Sequence, residues 1–178
     1  IYDVASLTKI LVTLPIVMKM VENGDISLNT KLKEIIPRYE NSNKSEKTIK
    51  EILSHFANLK SWIPFYKSTL DTINNKPNPL YYRNSVSDKY NIKLTDNLYL
   101  LTSYNDSINL NIMTSDLNND RYKYSDLPYY ILKEYIENYY SSDLSSIIDS
   151  QIFNKIGLTH SSFFPKQIHS LDNIAPTD

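Results

Sequence analysis

Ser6 and Lys9 set a hydroxyl and an amine three positions apart at the head of an apolar helical stretch, and their chemistry follows from that spacing. A hydroxyl becomes an effective nucleophile only when a neighbouring base takes its proton. Side chains at i and i+3 share one helix face, so Lys9 can reach the Ser6 oxygen. The helix start adds unpaired N–H groups and the positive end of the dipole, which favour an anionic serine oxygen or a tetrahedral oxyanion and should help Lys9 lose its proton. This is the logic of an S-x-x-K nucleophile, and no other S-x-x-K occurs in the chain.

Composition narrows the alternatives. The 178 residues, 41% hydrophobic and 22% charged, suit one globular domain that buries a core. A formal net charge of -1 and the lack of a basic stripe give no reason to expect nucleic acid or an anionic membrane as partner. With no cysteine there is no disulfide, thiolate site or thiol nucleophile. His55, His160 and His169 stand far apart in sequence, so neither a metal nor another cofactor is expected. Ile10 to Val21 is too short and too interrupted, by Thr13, Pro15 and Lys19, to be a transmembrane segment. The chain opens on Ile1 and reads as part of a longer gene product.

The elements that must position Ser6 begin with Ser6 itself. Ile10, Leu11, Leu14, Val17, Met18 and Val21 recur at helical spacing up to Glu22, and Asn23-Gly24 supplies the left-handed residue that ends a helix. Pro15 should kink that helix or break its bonding. A short helix is expected between Asp25 and Pro37, then a polar surface loop over 40–47, then a capping box of Thr48 and Glu51 opening a buried helix that ends near His55. Residues 58–91 carry Pro64, Pro77, Pro79 and many aromatics, and 92–111 fits either short strands or a helix; together 58–122 reads as an irregular insertion. Ser125 or Asp126 can cap a helix from Leu127 to about Tyr139, and another runs from Ser142 to about Ile152.

Five blocks now stand in order: Ile1-Tyr2-Asp3-Val4-Ala5-Ser6-Leu7-Thr8-Lys9, Val21-Glu22-Asn23-Gly24, Ile52-Leu53-Ser54-His55, Tyr124-Ser125-Asp126-Leu127 and Phe153-Asn154-Lys155-Ile156-Gly157-Leu158. In that order the chain resembles the beta-lactamase-related serine hydrolases: class C beta-lactamases, penicillin-binding DD-peptidases and family VIII-type esterases. The resemblance implies an α+β fold in which a helical subdomain packs on an antiparallel sheet. Residues 1–178 would be the helical, nucleophile-bearing portion of that catalytic domain, mainly α-helical with few short strands. It implies Ser6 as the acylated nucleophile, Lys9 as its proton partner and Tyr124 as the tyrosine of the Y-x-N motif, with either Lys9 or Tyr124 as base. As tripeptides, Tyr39-Glu40-Asn41 and Tyr104-Asn105-Asp106 match Y-x-[N/D] as well, but Tyr124 directly precedes a strongly amphipathic helix, as the family pattern requires.

The departures shape the functional expectation. Asp126 stands where the family has Asn, exchanging an amide donor for an acceptor-only carboxylate at the substrate-binding position. Ser54-His55-Phe56-Ala57-Asn58-Leu59 occupies the place of T-H-T-S-G-L, so the glycine turn is lost and the loop should differ; His55 reads as structural. No K-T-G or H-x-G follows Tyr124, and weak turnover at most is expected of these residues alone. The expectation is therefore a serine hydrolase forming an acyl-enzyme on an ester, a D-Ala-type or peptidoglycan-like peptide, or a beta-lactam, with esterase or peptidase action favoured. Trp62 and its aromatic neighbours could shape the substrate site. The alternative is a non-catalytic binding module that keeps the fold. Surface left open on the sheet side would favour self-association, and the resemblance implies an extracytoplasmic location.

Overall fold

The structure, a computed structural model, describes residues 1–177. The N-terminal helix is built in three pieces: a 3-10 turn at Ala5–Leu7, a π turn at Lys9–Thr13 and the α-helix α1 at Leu14–Glu22. The π turn accounts for Pro15. In the π turn the Leu14 N–H bonds back to Lys9 O, five residues away, and Pro15, which has no N–H to give, sits in the first turn of α1. The expected local break in α-helical bonding is thus present as this π turn. At the other end Asp25 N–H reaches Met20 O and Gly24 N–H reaches Val21 O, with Gly24 at φ +82°, a Schellman closure.

Short helices follow at Leu32–Ile35 (α2) and Ile49–Leu53 (α3). The capping box of α3 forms as the sequence predicts, with Glu51 N–H on Thr48 Oγ1 at 3.2 Å and Thr48 N–H on Glu51 Oε2 at 2.8 Å. The polar loop between them is less superficial than its composition suggests. Lys44 is fully buried, its ammonium bonded to the carbonyls of Met113 and Ser115 and to Asn43 Oδ1.

Residues 92–111 hold both of the structures their pattern allowed. Strands β1 (Tyr82–Arg83), β2 (Ile92–Thr95) and β3 (Leu98–Leu100) form an antiparallel sheet in the order β1-β3-β2, and helix α4 follows at Tyr104–Thr114. Tyr82 and Ile92 flank Leu100 in register, and a bulge lies between Lys93 and Thr95. Helix α5 spans Leu127–Tyr140, and α6 spans Leu144–Ile148 before continuing as a π turn through Phe153. The last helix therefore starts two residues later than its sequence suggests, because Asp143, not an earlier serine, caps it by accepting from Ser146 N–H at 3.0 Å.

The core gathers the inward stripes of these helices: Ile16, Val17 and Met20 of α1, Ile49 and Ile52 of α3, Ile131, Leu132 and Ile136 of α5, and Ile147 and Ile148 of α6, all buried. Each such side chain contributes about 1.5–3 kcal/mol on leaving water, and together they fix α5 against the Ser6-bearing segment. The opposite face of that segment stays open, with Leu7, Ile10, Leu11 and Met18 exposed. Among the described residues no helix is long and apolar enough to cross a membrane, and no group of three or more metal-ligating side chains converges.

Candidate active site

Ser6 sits in the 3-10 turn immediately after Ala5, whose φ of +43° is a left-handed conformation that costs a residue with a Cβ roughly 1–2 kcal/mol. Asp3 holds that bend by accepting the Ala5 N–H at 2.7 Å. The result presents Ser6 outward, exposed, and among the described residues its N–H makes no hydrogen bond. One turn on, Lys9 Nζ donates to Ser6 Oγ at 3.0 Å. The i, i+3 reach expected from sequence is therefore present, although the intervening backbone is 3-10 and π in place of α.

Lys9 is the hub of the site. Its Nζ also lies 2.7 Å from Asp126 Oδ1, 5.2 Å from the centre of the Tyr124 ring and 5.6 Å from that of Tyr129. Burial alone would lower the affinity of Lys9 for its proton, but the Asp126 carboxylate and the Tyr124 hydroxyl outweigh it, and the ammonium is held above its ordinary value. The expectation that the helix start would help Lys9 lose its proton is corrected by Asp126, whose carboxylate lies against the ammonium. The Tyr124 phenol moves the other way. The Ser6 hydroxyl and then the Lys9 ammonium beside it pull its ionisation below the ordinary phenol value. Both shifts favour a Lys9 ammonium next to a Tyr124 that ionises more easily than an ordinary phenol.

Of the candidates Tyr39, Tyr104 and Tyr124, Tyr124 is the one beside Ser6. Tyr39 is fully buried with its hydroxyl unpartnered, and Tyr104 is buried with its hydroxyl bonded to Phe65 O at 2.7 Å. Tyr124 is delivered by the loop leading into α5. Ser125 and Asp126 are tied to the segment after α3, with Asp126 N–H on Ser61 O at 2.8 Å and Ser125 Oγ on Lys60 O. That segment also keeps the turn whose glycine is missing. Asn58 adopts φ +60° in its place, donates Nδ2 to Asp120 O at 2.7 Å and accepts from Lys47 Nζ at 2.9 Å. The loss of glycine changes the side chain without abolishing the left-handed bend, because Asn tolerates that region better than most residues.

Two hollows meet at Ser6 and Lys9. An open cleft of about 730 Å³ runs along α5, where Asp126, Tyr129, Tyr130 and Lys133 face Phe163, Phe164 and Leu144. A smaller hollow of about 320 Å³ lies on the other side, between Leu7, Ile10, His55 and Tyr124. Trp62, a sequence candidate for substrate contact, is exposed and lines neither. The aromatic walls Tyr129, Tyr130, Phe163 and Phe164 were not singled out for this role in the sequence; the i, i+1 aromatic pairs were the available signal.

A protein-family model, Beta-lactamase, matches residues 1–171. The chain belongs to the beta-lactamase family. Its fold is similar to that of an octameric penicillin-binding protein homologue from Pyrococcus abyssi, with TM-score 0.62 and 18% identity over 98% of this chain and 35% of that one. It is also similar to the "putative beta-lactamase from Bacteroides dorei DSM 17855", with TM-score 0.58 and 17% identity over 95% of this chain and 42% of that one. No curated protein sequence matches. This beta-lactamase-family chain thus spans well under half the length of either solved structure, and it carries the mainly helical portion of the beta-lactamase and penicillin-binding-protein fold, with one small three-stranded sheet.

Proposed function

We propose that this chain carries the nucleophile-bearing part of a serine hydrolase that acts through an acyl-enzyme, with Ser6 as nucleophile, Tyr124 as proton acceptor and Lys9 as the cation that readies Tyr124. The observation that carries the reading is the position of Lys9 Nζ, 3.0 Å from Ser6 Oγ and 2.7 Å from Asp126 Oδ1. An ammonium committed to a carboxylate has no lone pair with which to take a proton. Tyr124, its ionisation eased by Ser6 and Lys9, is the remaining group able to do so.

In this reading the Tyr124 phenolate takes the Ser6 proton as Oγ adds to the substrate carbonyl carbon. The free Ser6 N–H supplies one donor to the resulting oxyanion; a second donor and the far wall of the cleft would come from chain outside these residues. Collapse of the adduct expels the alcohol or amine, which receives the proton from Tyr124. Water then attacks the Ser6 ester, again losing its proton to Tyr124, and as the C–Oγ bond breaks Tyr124 returns that proton to Ser6 Oγ, which releases the acid and restores both the Ser6 hydroxyl and the Tyr124 phenolate.

Esters and D-Ala-type peptides are favoured over beta-lactams because Asp126 offers no amide N–H to a substrate carbonyl. The aromatic walls of the larger cleft suit an apolar acyl group. Trp62 follows Ser61, whose carbonyl receives the Asp126 N–H, and belongs to the outer rim of the site in this reading. Intact-mass labelling of the full-length protein with a fluorophosphonate and a beta-lactam, beside Ser6→Ala, tests the proposal. An adduct that depends on Ser6 is expected; no adduct on folded protein would overturn it in favour of a non-catalytic binding module.

A further inference from the structure

His55 stands outside the proposed proton path, yet it holds both neighbours of Tyr124. Its backbone carbonyl accepts the Lys123 N–H at 3.1 Å, and its ring Nδ1 accepts the Ser125 N–H at 3.3 Å. Between these two bonds the His55 ring lies against the Tyr124 ring, with centroids 4.5 Å apart. The residue itself is in the left-handed region at φ +63°, a conformation that directs both its carbonyl and its ring toward residues 123–125. A merely space-filling residue at the end of α3 needs neither the strained backbone nor the two bonds that bracket one tyrosine.

We infer that His55 is the positioning residue for Tyr124, a neutral imidazole that clamps the 123–125 loop and so keeps the phenol beside Ser6 and Lys9. The inference rests on the reading of Tyr124 as proton acceptor. Its chemical requirement is specific: Nδ1 must be unprotonated to accept from Ser125, so the proton of the neutral ring is on Nε2. An imidazolium would lose the Ser125 bond and set a second cation near Lys9. The groups facing the ring are Lys9 from the N-terminal segment, Tyr122, Tyr124 and Asp126 from the loop before α5, and Tyr129 from α5. Burial first, and then the Lys9 charge, press His55 below its ordinary value despite the opposing Asp126, so the clamp is closed at neutral pH and opens as the solution turns acidic.

Two measurements on the full-length protein test this. In an NMR pH titration, the Ser125 amide should move together with the His55 ring nitrogens; a Ser125 amide that ignores His55 overturns the clamp, whatever the fate of the Ser6 assignment. In the second, the rate of Ser6 labelling by a fluorophosphonate is followed against pH in wild type, His55→Asn and His55→Phe. Asn offers an acceptor close to the position of Nδ1, tolerates the left-handed backbone and does not titrate, so His55→Asn should label within about threefold of wild type near neutrality and hold its rate further into acid. Phe keeps a ring without an acceptor and should lose at least about tenfold at every pH, a part of the ~10²-fold that a displacement of ~1 Å can cost. A His55→Asn profile with the wild-type acid limb overturns the inference even where His55→Phe fails to fold, as does a His55→Phe protein that labels like wild type. Absence of any Ser6 label on wild type defeats the proposed function instead, and the amide titration then still decides the clamp.

Discussion

The Lys9 ammonium and the Asp126 carboxylate, 117 positions apart in the chain, meet at 2.7 Å beside Ser6 and Tyr124, and the charge of each bears on the ionisation of Tyr124. The family pattern has Asn at this position. In the proposed reading a carboxylate there keeps Lys9 an ammonium and leaves Tyr124 as the base, and it also opposes the ionisation of Tyr124 that Lys9 promotes. Asp126→Asn should therefore lower both proton affinities at once. The pH–rate profile of Ser6 acylation is expected to shift toward acid on both limbs, because Tyr124 ionises earlier and the Lys9 charge is lost earlier as pH rises. Stopped-flow labelling across pH 5–10 checks the direction; a shift toward alkali would contradict the assignment of roles.

Tyr124→Phe and Lys9→Met separate the base from the cation that readies it. Loss of a general base lowers the rate by roughly 10²–10⁴-fold. Tyr124→Phe is expected within that range and should lose the rise of rate with pH. Lys9→Met leaves the phenol without its ammonium, so its pH–rate rise should move to higher pH and survive. Tyr124→Phe should shift stability by no more than about 1 kcal/mol, since Tyr124 is about half exposed, and Lys9→Met should stay near that figure because it keeps the half-buried stem in an apolar side chain while the half-exposed Asp126 can turn to water. Urea unfolding beside the labelling rates gives both readouts.

What was legible in the sequence is what chain neighbours determine. The Ser6 to Lys9 reach, the Thr48 and Glu51 capping box, the Gly24 closure and the inward stripe of α5 each depend on spacings of a few residues. The Asp126 contact with Lys9 and the placing of His55 over Tyr124 depend on how α3, α5 and the first turn pack, and no local pattern encodes them. Lys44 was hidden for a related reason. Its surroundings in sequence are polar, and only the arrival of the α4 terminus from far along the chain turns that loop into an interior. The π turn before Pro15 leaves no separate mark in the sequence, because its apolar spacing over five residues differs little from that of an α-helix.

Lys44→Met tests that interior. The substitution keeps most of the apolar stem and removes the ammonium that satisfies Met113 O and Ser115 O at the end of α4. Asn43 Nδ2 still reaches Ser115 O at 3.2 Å, so one of the two carbonyls keeps a donor. Leaving the other dry costs about 1–3 kcal/mol. Hydrogen exchange should accelerate over residues 110–115 while the amides of α5 stay protected; uniform loss of protection would mean that Lys44 supports the whole core.

Asp143 links stability to the shape of the cleft. Its carboxylate accepts from the Ser145 hydroxyl, from Ser146 N–H at 3.0 Å and from Ser146 Oγ at 2.8 Å, and these bonds, the Ser145 one foremost, press its ionisation down to about 2. A carboxyl depressed by folding adds stability above its unfolded value, near ~3.9, and the contribution drains away as pH falls through its folded value. Asp143→Ala should lose about 1 kcal/mol at pH 7 as the α6 cap is removed. Asp143→Asn keeps a capping oxygen without the charge, so its deficit against wild type should be smaller at pH 7 and should close as pH falls from about 4 to about 2. Urea midpoints at pH 7, 4 and 2 measure this. Because Asp143, Leu144 and Ser145 also line the larger cleft, Asp143→Ala should loosen that wall and raise the substrate concentration needed for half-maximal Ser6 acylation more than it lowers the limiting rate; a lowered limiting rate with the half-maximal concentration unchanged would place the effect of Asp143 on the reacting centre instead.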